Sequence, residues 1–431
     1  MAKRLNSVLG IDIGSERIKV CEFQTKGKEP VVTALGMIPT PEGAVDHTGV
    51  YNADAVGAAL KQVLSEAGAT SGNAVVSIAG QASVLVRTLE VPRMTADELK
   101  DHMQWEINRN IPFAESNVVT DYKPLPDEDP NSQNMEVVMA IAPQSAIDTI
   151  ISCVKKAGRT ASAIDVEPLS MARALQQSYS ELMDKTVCVV DMGAKTTSIN
   201  IYRGSRLLMP RQIPLGGELF TKAIADALTV PVEQAESIKL TRASVPENAA
   251  DLAMAPSTFG GAPAGAEFTP YNPFADEPSP TFQPMPAMDD APMNPFAEPD
   301  LPGVPSDPVA TGMPGAEPGS ALPAMMGDPE TVQLYQAMAP TLEEFVSEIR
   351  RSIDYFRSRG GDVDQIALCG GGTKLKGLAQ FIAKSLAVPT ESFDPLRNLN
   401  VNARKVAPGF VEDHRQEFAV AVGNGLHIFF E

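Results

Sequence analysis

Read for its apolar and polar positions, the chain opens with three strands, near Val8 to Ile13, Arg17 to Gln24 and Val31 to Ile38. The spacing then turns helical, with Val56, Leu60, Val63 and Leu64 on one face of a helix over Ala53 to Ala67. Ala74 to Ala79 returns to strand. Strands near Val84 to Leu89 and Met135 to Ile141 flank a helix from Thr95 to Ile107, which carries the single tryptophan, Trp105, close to Met103 and Ile107. A lone tryptophan there reads as a core residue rather than an interface anchor. Helices at Ser145 to Lys156 and Pro168 to Leu182 enclose a strand at Ser162 to Val166. From Thr186 the pattern restarts, with strands near Thr186 to Asp191, Thr197 to Tyr202 and Leu207 to Ile213, then helices near Glu218 to Leu228 and Val232 to Thr241. A long helical run, Val332 to Arg357, precedes a strand at Ile366 to Cys369, and a last helix lies near Gln416 to Gly425. Strands mixed with helices in two successive blocks predict an α/β chain with two cores.

The restart repeats a chemical pattern as well as a structural one. Val187 to Thr197 is an apolar strand that ends in an acid, Asp191, and turns through Gly193 into a second apolar segment. Val8 to Phe23 does the same: a shift of 179 positions lays Asp12 on Asp191, Gly14 on Gly193 and Phe23 on Tyr202. Such a turn brings backbone close to an anion, amides and hydroxyls can point at phosphate, and the acid can hold Mg2+ through water. One copy alone is a common hairpin. Two copies half a chain apart predict two similar domains facing each other across one ligand.

A third element completes the set. Ile366 to Cys369 opens onto Gly370, Gly371 and Gly372, followed by a helical pattern at Leu375, Leu378, Ile382 and Leu386. The glycines let a flat ring or a sugar lie against the main chain, and the helix N-terminus beyond them is expected to offer free amides to phosphate.

In this order, the two hairpins and the strand with three glycines resemble the actin, Hsp70 and sugar-kinase superfamily of ATP-binding folds. Within it, the start L-G-I-D-I-G-S, the segment Asp165 to Leu175 and the stretch before it resemble the PilM family of type IV pilus assembly and, behind it, the cell-division protein FtsA. The resemblance implies an actin-like, RNase H-like two-domain ATPase fold. The first domain spans residues 1–182 with an FtsA-type inserted subdomain at about 83–141, and the second spans 183–431 with a long insert at about 246–329. It implies ATP and Mg2+ as cofactors, with Asp12 and Asp191 on the metal. Asp12, Gly14, Ser15 and Lys19 match the first phosphate loop, Asp191, Gly193, Thr196 and Thr197 the second, and Gly370, Gly371 and Gly372 the adenosine loop. Gly217, Glu236 and Lys239 match nucleoside contacts, although Glu236 and Lys239 are equally a solvated helix pair at i,i+3. Glu167 matches the group that orients the attacking water, with Asp12 and Asp191 beside it. Small residues at Ala419, Ala421, Gly423 and Gly425 match a hinge. The family further implies an extended N-terminal peptide of a PilN-like inner-membrane protein as partner, held in the groove between subdomain and first domain. Other platform proteins, the pilus motor ATPases and self-association stay open. With no extra arginine to place at the γ-phosphate, slow or absent turnover is expected. An FtsA-like division protein is the alternative, set back by a chain that stops at Glu431 without an amphipathic tail; a small-molecule kinase on the same fold is the other.

Composition narrows the class. Of the 36 prolines, 19 fall between Pro246 and Pro329, in a stretch with 12 acidic residues and no lysine or arginine. Such a segment buries too little apolar surface to fold and is expected to be disordered. The net charge of −19 argues against nucleic acid or direct anionic-lipid binding; without the acids of this stretch it becomes −19 + 12 = −7, so the rest of the chain is only mildly acidic. Inside the stretch, Asn272-Pro273-Phe274-Ala275-Asp276 and Asn294-Pro295-Phe296-Ala297-Glu298 repeat one word, the form of a short linear motif or of compositional drift. Four scattered cysteines without C-x-x-C spacing fit reduced thiols, and no apolar run suits a signal peptide or a membrane span. A cytoplasmic protein, peripheral to the inner membrane through its partners, is the expectation.

Overall fold

The computed structural model describes residues 5–26, 29–80, 82–113, 117–126, 131–246 and 329–430. The proline-rich stretch, with both Asn-Pro-Phe words, lies outside them except for its end residues, Pro246 and Pro329.

The first block folds as β1 (Ser7–Ile13), β2 (Arg17–Lys26), β3 (Glu29–Pro39), α1 (Ala53–Ala67) and β4 (Asn73–Ile78). The inserted subdomain follows as β5 (Leu85–Pro92), α2 (Ala96–Arg109), β6 (Val118–Pro124) and β7 (Asn134–Pro143), and the block closes with α3 (Gln144–Lys156), β8 (Thr160–Val166) and α4 (Glu167–Ser178). The second block contains β9 (Thr186–Met192), β10 (Thr197–Arg203), β11 (Arg206–Met209), β12 (Gln212–Ile213), α5 (Gly217–Leu228) and α6 (Val232–Thr241). After the undescribed stretch come α7 (Pro329–Ser358), β13 (Gln365–Cys369), α8 (Leu378–Leu386) and β14 (Thr390–Ser392). The chain ends in β15 (Asn400–Val401), α9 (Phe410–His414) and α10 (Ala419–Gly425).

The sequence repeat is a repeat of topology. The first sheet has the order β15-β3-β2-β1-β4-β8 and the second β11-β10-β9-β13-β14, with β12 also on β10. In each, an antiparallel hairpin (β1 with β2, β9 with β10) is extended on one side by parallel strands, β4 and β13. The strand read from Leu207 to Ile213 is two strands, because Pro210 cannot donate to a ladder. The last segment does not stay with the second sheet: β15 pairs parallel with β3, and α10 packs on β1, β4 and α4.

Three of the four apolar cores follow from this layering. α1 and α3 cover one face of the first sheet, and α5, α7 and α8 cover the outer face of the second. The middle core joins both sheets around α4 and α10. The fourth lies in the subdomain, where α2 packs Leu99, Met103 and Ile107 onto the sheet β5-β7-β6. Helix α2 begins with a capping box, Thr95 and Glu98 each bonding the other's backbone. Trp105 is not in that core. It is 56% exposed, with the Arg109 guanidinium 5.4 Å from its ring centroid. At 100° per residue, a helix that buries 99, 103 and 107 turns position 105 outward.

At the junction, backbone of α10 comes into direct contact with backbone of the first block. A Cβ on Gly10 would lie 1.9 Å from the Ala421 carbonyl oxygen, and one on Gly423 would lie 1.9 Å from that of Ser170. Asn424, fully buried, donates from Nδ2 to the Ile11 carbonyl at 2.8 Å and accepts at Oδ1 from Ser77 Oγ (2.8 Å) and Ser170 Oγ (2.5 Å). One amide thereby ties α10 to β1, β4 and α4.

Candidate functional site: a partly buried acidic cluster between two hairpins

Both hairpins turn the same way. Gly14 N–H donates to the Arg17 carbonyl at 3.1 Å, and Gly193 N–H donates to that of Thr196 at 2.9 Å. Side chains would crowd both turns, since a Cβ would sit 2.9 Å from Arg17 O and 3.1 Å from Thr196 O. Those two amides are therefore spent inside the turns and are not free for an anion. Ser15 lies at the tip of the first turn, half-buried, and Thr196 at the exit of the second. Thr197 departs from the expectation that its hydroxyl faces phosphate. It is fully buried and donates to the Leu215 carbonyl at 2.6 Å, bracing the turn from behind.

The second turn is pinned to α5, where Gly217 N–H donates to Gly193 O and Glu218 N–H to Ala194 O, both at 2.9 Å. Gly217 also lies against the glycine loop, as a Cβ there would be 3.1 Å from Gly372 Cα. Lys239 is more than half of a solvated pair. Its Nζ meets Glu236 at 2.6 Å, and it also donates to the Gly217 carbonyl (3.1 Å) and Thr221 Oγ1 (2.8 Å). Glu236 keeps 44% of its side chain exposed. Gly370, Gly371 and Gly372 follow β13 directly, and Gly371 and Gly372 themselves open a short 3-10 segment, Gly371–Lys374. Helix α8 starts only at Leu378, behind Gly377, so its N-terminus is not the group next to the loop.

Between the hairpins stand Asp12, Lys19, Glu167 and Asp191. Register pairs Asp12 with Lys19 across β1 and β2, and Lys19 Nζ meets Asp12 Oδ2 at 2.9 Å. Burial works against the Lys19 ammonium, yet Asp12 holds its pKa above the ordinary value. Glu167 is the first residue of α4. Burial, then the charge of Asp191, pushes its carboxyl up to about 8, partly offset by a hydrogen bond with Ser198. Burial likewise raises Asp191 to about 6, against the pull of Lys19 and with a further push from Asp12. Asp191 also shares a hydrogen bond with the thiol of Cys369, its register partner on β13.

The cluster holds three carboxyl groups and one ammonium, so it is short of positive charge. A carboxyl raised from 4.5 to about 8 on folding keeps its proton in the folded state while the unfolded chain releases it, so its contribution to stability is lost as pH rises through that window. The protein without ligand is therefore expected to melt several degrees lower at pH 8 than at pH 5. Glu167→Gln should flatten this slope; thermal scans of both proteins with an unchanged slope would refute the assignment.

The pattern did not single out Ser198 and Cys369. Ser198 was within reach of the repeat, since the 179-position shift that lays Asp12 on Asp191 lays Lys19 on Ser198. Nothing local marked Cys369, which is placed by strand pairing.

Comparisons with known proteins agree with this architecture. A model of the type IV pilus assembly protein PilM family matches residues 10–259, and a model of cell division protein FtsA matches 188–423. FtsA of Neisseria meningitidis serogroup B is 24% identical over 252 residues, 53% of this chain and 60% of that protein. FtsA of Pseudomonas aeruginosa is 35% identical over 97 residues, 22% of each. The chain thus spans 60% or less of these relatives. A solved PilM-PilN type IV pilus biogenesis complex has a chain that superposes with a TM-score of 0.71 at 24% identity, covering 99% of both chains, which shows the fold. The PilM model covers more than half of the 431 residues, including the first hairpin, the inserted subdomain and the second hairpin, and the chain belongs to the type IV pilus assembly protein PilM family, in the actin-like superfamily that also holds FtsA.

Proposed function

We propose that this chain is an ATP-binding, actin-like component of the pilus inner-membrane assembly platform, and that nucleotide controls its grip on the N-terminal peptide of a PilN-like membrane protein. The observation that carries the nucleotide half is the convergence of Asp12, Lys19, Glu167 and Asp191 between two equivalent turns, with a glycine loop alongside. The donor set fits a hydrated Mg2+. Among the described residues no three histidine, cysteine or acidic side chains converge for direct ligation, and Mg2+ at phosphate sites takes one or two carboxylates and keeps its waters. Asp12 and Asp191 would hold it, and the ion would neutralise phosphate charge.

The chain's own groups divide the remaining work. Lys19 carries a fixed positive charge at the first turn, and the amides after Gly14 and Gly193 line the phosphate path. Glu167 would orient a water there; its raised pKa belongs to the ligand-free cluster, and a divalent ion on Asp12 and Asp191 would pull it down. Closure of the two sheets on ATP would shift the population of one arrangement over another, through α10 and the Asn424 bonds.

The partner half rests on the inserted subdomain, whose strand β6 is a sheet edge with no second strand partner among the described residues, next to α3 of the first block. Such an edge suits an extended peptide. No helix among the described residues is long and apolar enough to cross a membrane, which fits attachment through a partner. Calorimetric titration with the N-terminal cytoplasmic peptide of a PilN-like protein, with and without Mg-ATP, tests both halves. Binding that changes with nucleotide is expected. Binding indifferent to nucleotide removes the switch, and ATP binding without peptide binding shifts the reading toward an FtsA-like protein.

A further inference from the structure

The strongest group left unused is Glu417, in the turn just before α10. It is 8% exposed. Its Oε1 takes both Lys374 Nζ and His414 Nδ1, the latter at 2.8 Å. The backbone beside it is fixed as well, with Gly370 N–H donating to the Gln416 carbonyl at 2.9 Å. Oε2 has no hydrogen-bond partner among the described residues and faces the glycine loop, so that a Cβ on Gly371 would lie 3.4 Å from it. Burial opposes the charge of Glu417, but the bonds from Lys374 and His414 hold its pKa below the ordinary value, so the group is a carboxylate.

A buried carboxylate with one oxygen saturated and the other turned to an open glycine bed is an acceptor set for a donor. The bed is the place read above as the seat of a nucleoside, and this step rests on that reading. We propose that Glu417 Oε2 accepts a hydrogen bond from the bound nucleoside, from the exocyclic amine of the base or from a ribose hydroxyl, and so decides which nucleotides the site takes. Lys374 and His414 are its positioning residues: they fix the rotamer in advance, so little entropy is lost when the ligand arrives. A nucleoside with only an acceptor at that spot would set Oε2 against a second acceptor with no donor between them, and such sites discriminate strongly.

The test is a set of dissociation constants measured by calorimetry for wild type and Glu417→Ala, with Mg2+ and ATP, purine riboside triphosphate (no 6-amino group), 2′-deoxy-ATP and 3′-deoxy-ATP. Wild type is expected to prefer ATP over one of the three analogues by about tenfold or more, the analogue identifying the donor. In Glu417→Ala that preference should vanish, with ATP weakened to the level of the analogue. General damage from the unpaired Lys374 would weaken all four ligands alike and leave the ratios unchanged, which overturns the proposal. Absence of any preference in wild type overturns it too. If Glu417→Ala does not fold, Glu417→Gln replaces the charge-assisted bond with a neutral one, and the preference should fall to a few-fold. Wild type that binds no nucleotide at all would refute the nucleotide site itself, a separate result from ATP binding that ignores Glu417.

Discussion

Replacing Asp191 by alanine is expected to weaken Mg-ATP binding by at least about a hundredfold, with calorimetric titration as the measurement. Asp191 lies on the second hairpin at the position where Asp12 lies on the first, and it is partly buried, beside Cys369 and within reach of the charges of Lys19 and Glu167. Its removal leaves the proposed Mg2+ site with one acid, Asp12, whose Oδ2 is already engaged by Lys19. A second signature separates a functional acid from a structural one. Asp191→Asn keeps the shape and an acceptor for the Cys369 thiol but removes one of the crowded negative charges, so the ligand-free protein should melt higher, not lower, while Mg-ATP binding is still lost. Unchanged affinity in either variant would dismiss the site.

The second large effect concerns the junction. Gly10→Val is expected to cost more than about 3 kcal/mol of stability, or to abolish folding, as read from the urea midpoint. The first added atom would lie 1.9 Å from the Ala421 carbonyl oxygen and 2.4 Å from the Gly425 nitrogen, all of it main chain, which cannot swing away. Gly72→Ala is the internal control. A Cβ there meets nothing within 4 Å, and Gly72 is not among the glycines with positive φ, so its midpoint should stay within about 0.5 kcal/mol of wild type. Equal behaviour of the two variants would show that α10 is not seated on β1.

Why some of this could be read from the chain and some could not is a matter of where the determining contacts lie. The hairpins were legible because each pairs with itself: Ser7–Ile13 with Arg17–Lys26, and Thr186–Met192 with Thr197–Arg203, each within one short stretch. The acids at their ends came with them. β6 was not legible, because Val118–Pro124 is an edge strand with most of its residues exposed, and its alternation is blurred by Asp121, Lys123 and Pro124. Trp105 was misplaced by residue type, although the helical phase of Leu99, Met103 and Ile107 contained the correction. Thr197 was assigned to phosphate by its motif position, whereas the Leu215 carbonyl that takes its hydroxyl is 18 residues away. Glu417 had no signal at all, since its partner glycines and Lys374 are some 40 residues distant and meet it only when the chain doubles back.

That doubling back has a cost during synthesis. The first sheet needs β15 on its edge and α10 over Gly10 and Ile11, and both are encoded after the entire second sheet. A nascent chain that has emerged only through α4 has every strand of its first meander but not the helix that closes it, with the Ile11 carbonyl and two buried serine hydroxyls still lacking Asn424. The native packing of the amino-terminal block therefore requires a helix made after the second sheet, so that block is expected to complete its core only once α10 has been synthesised.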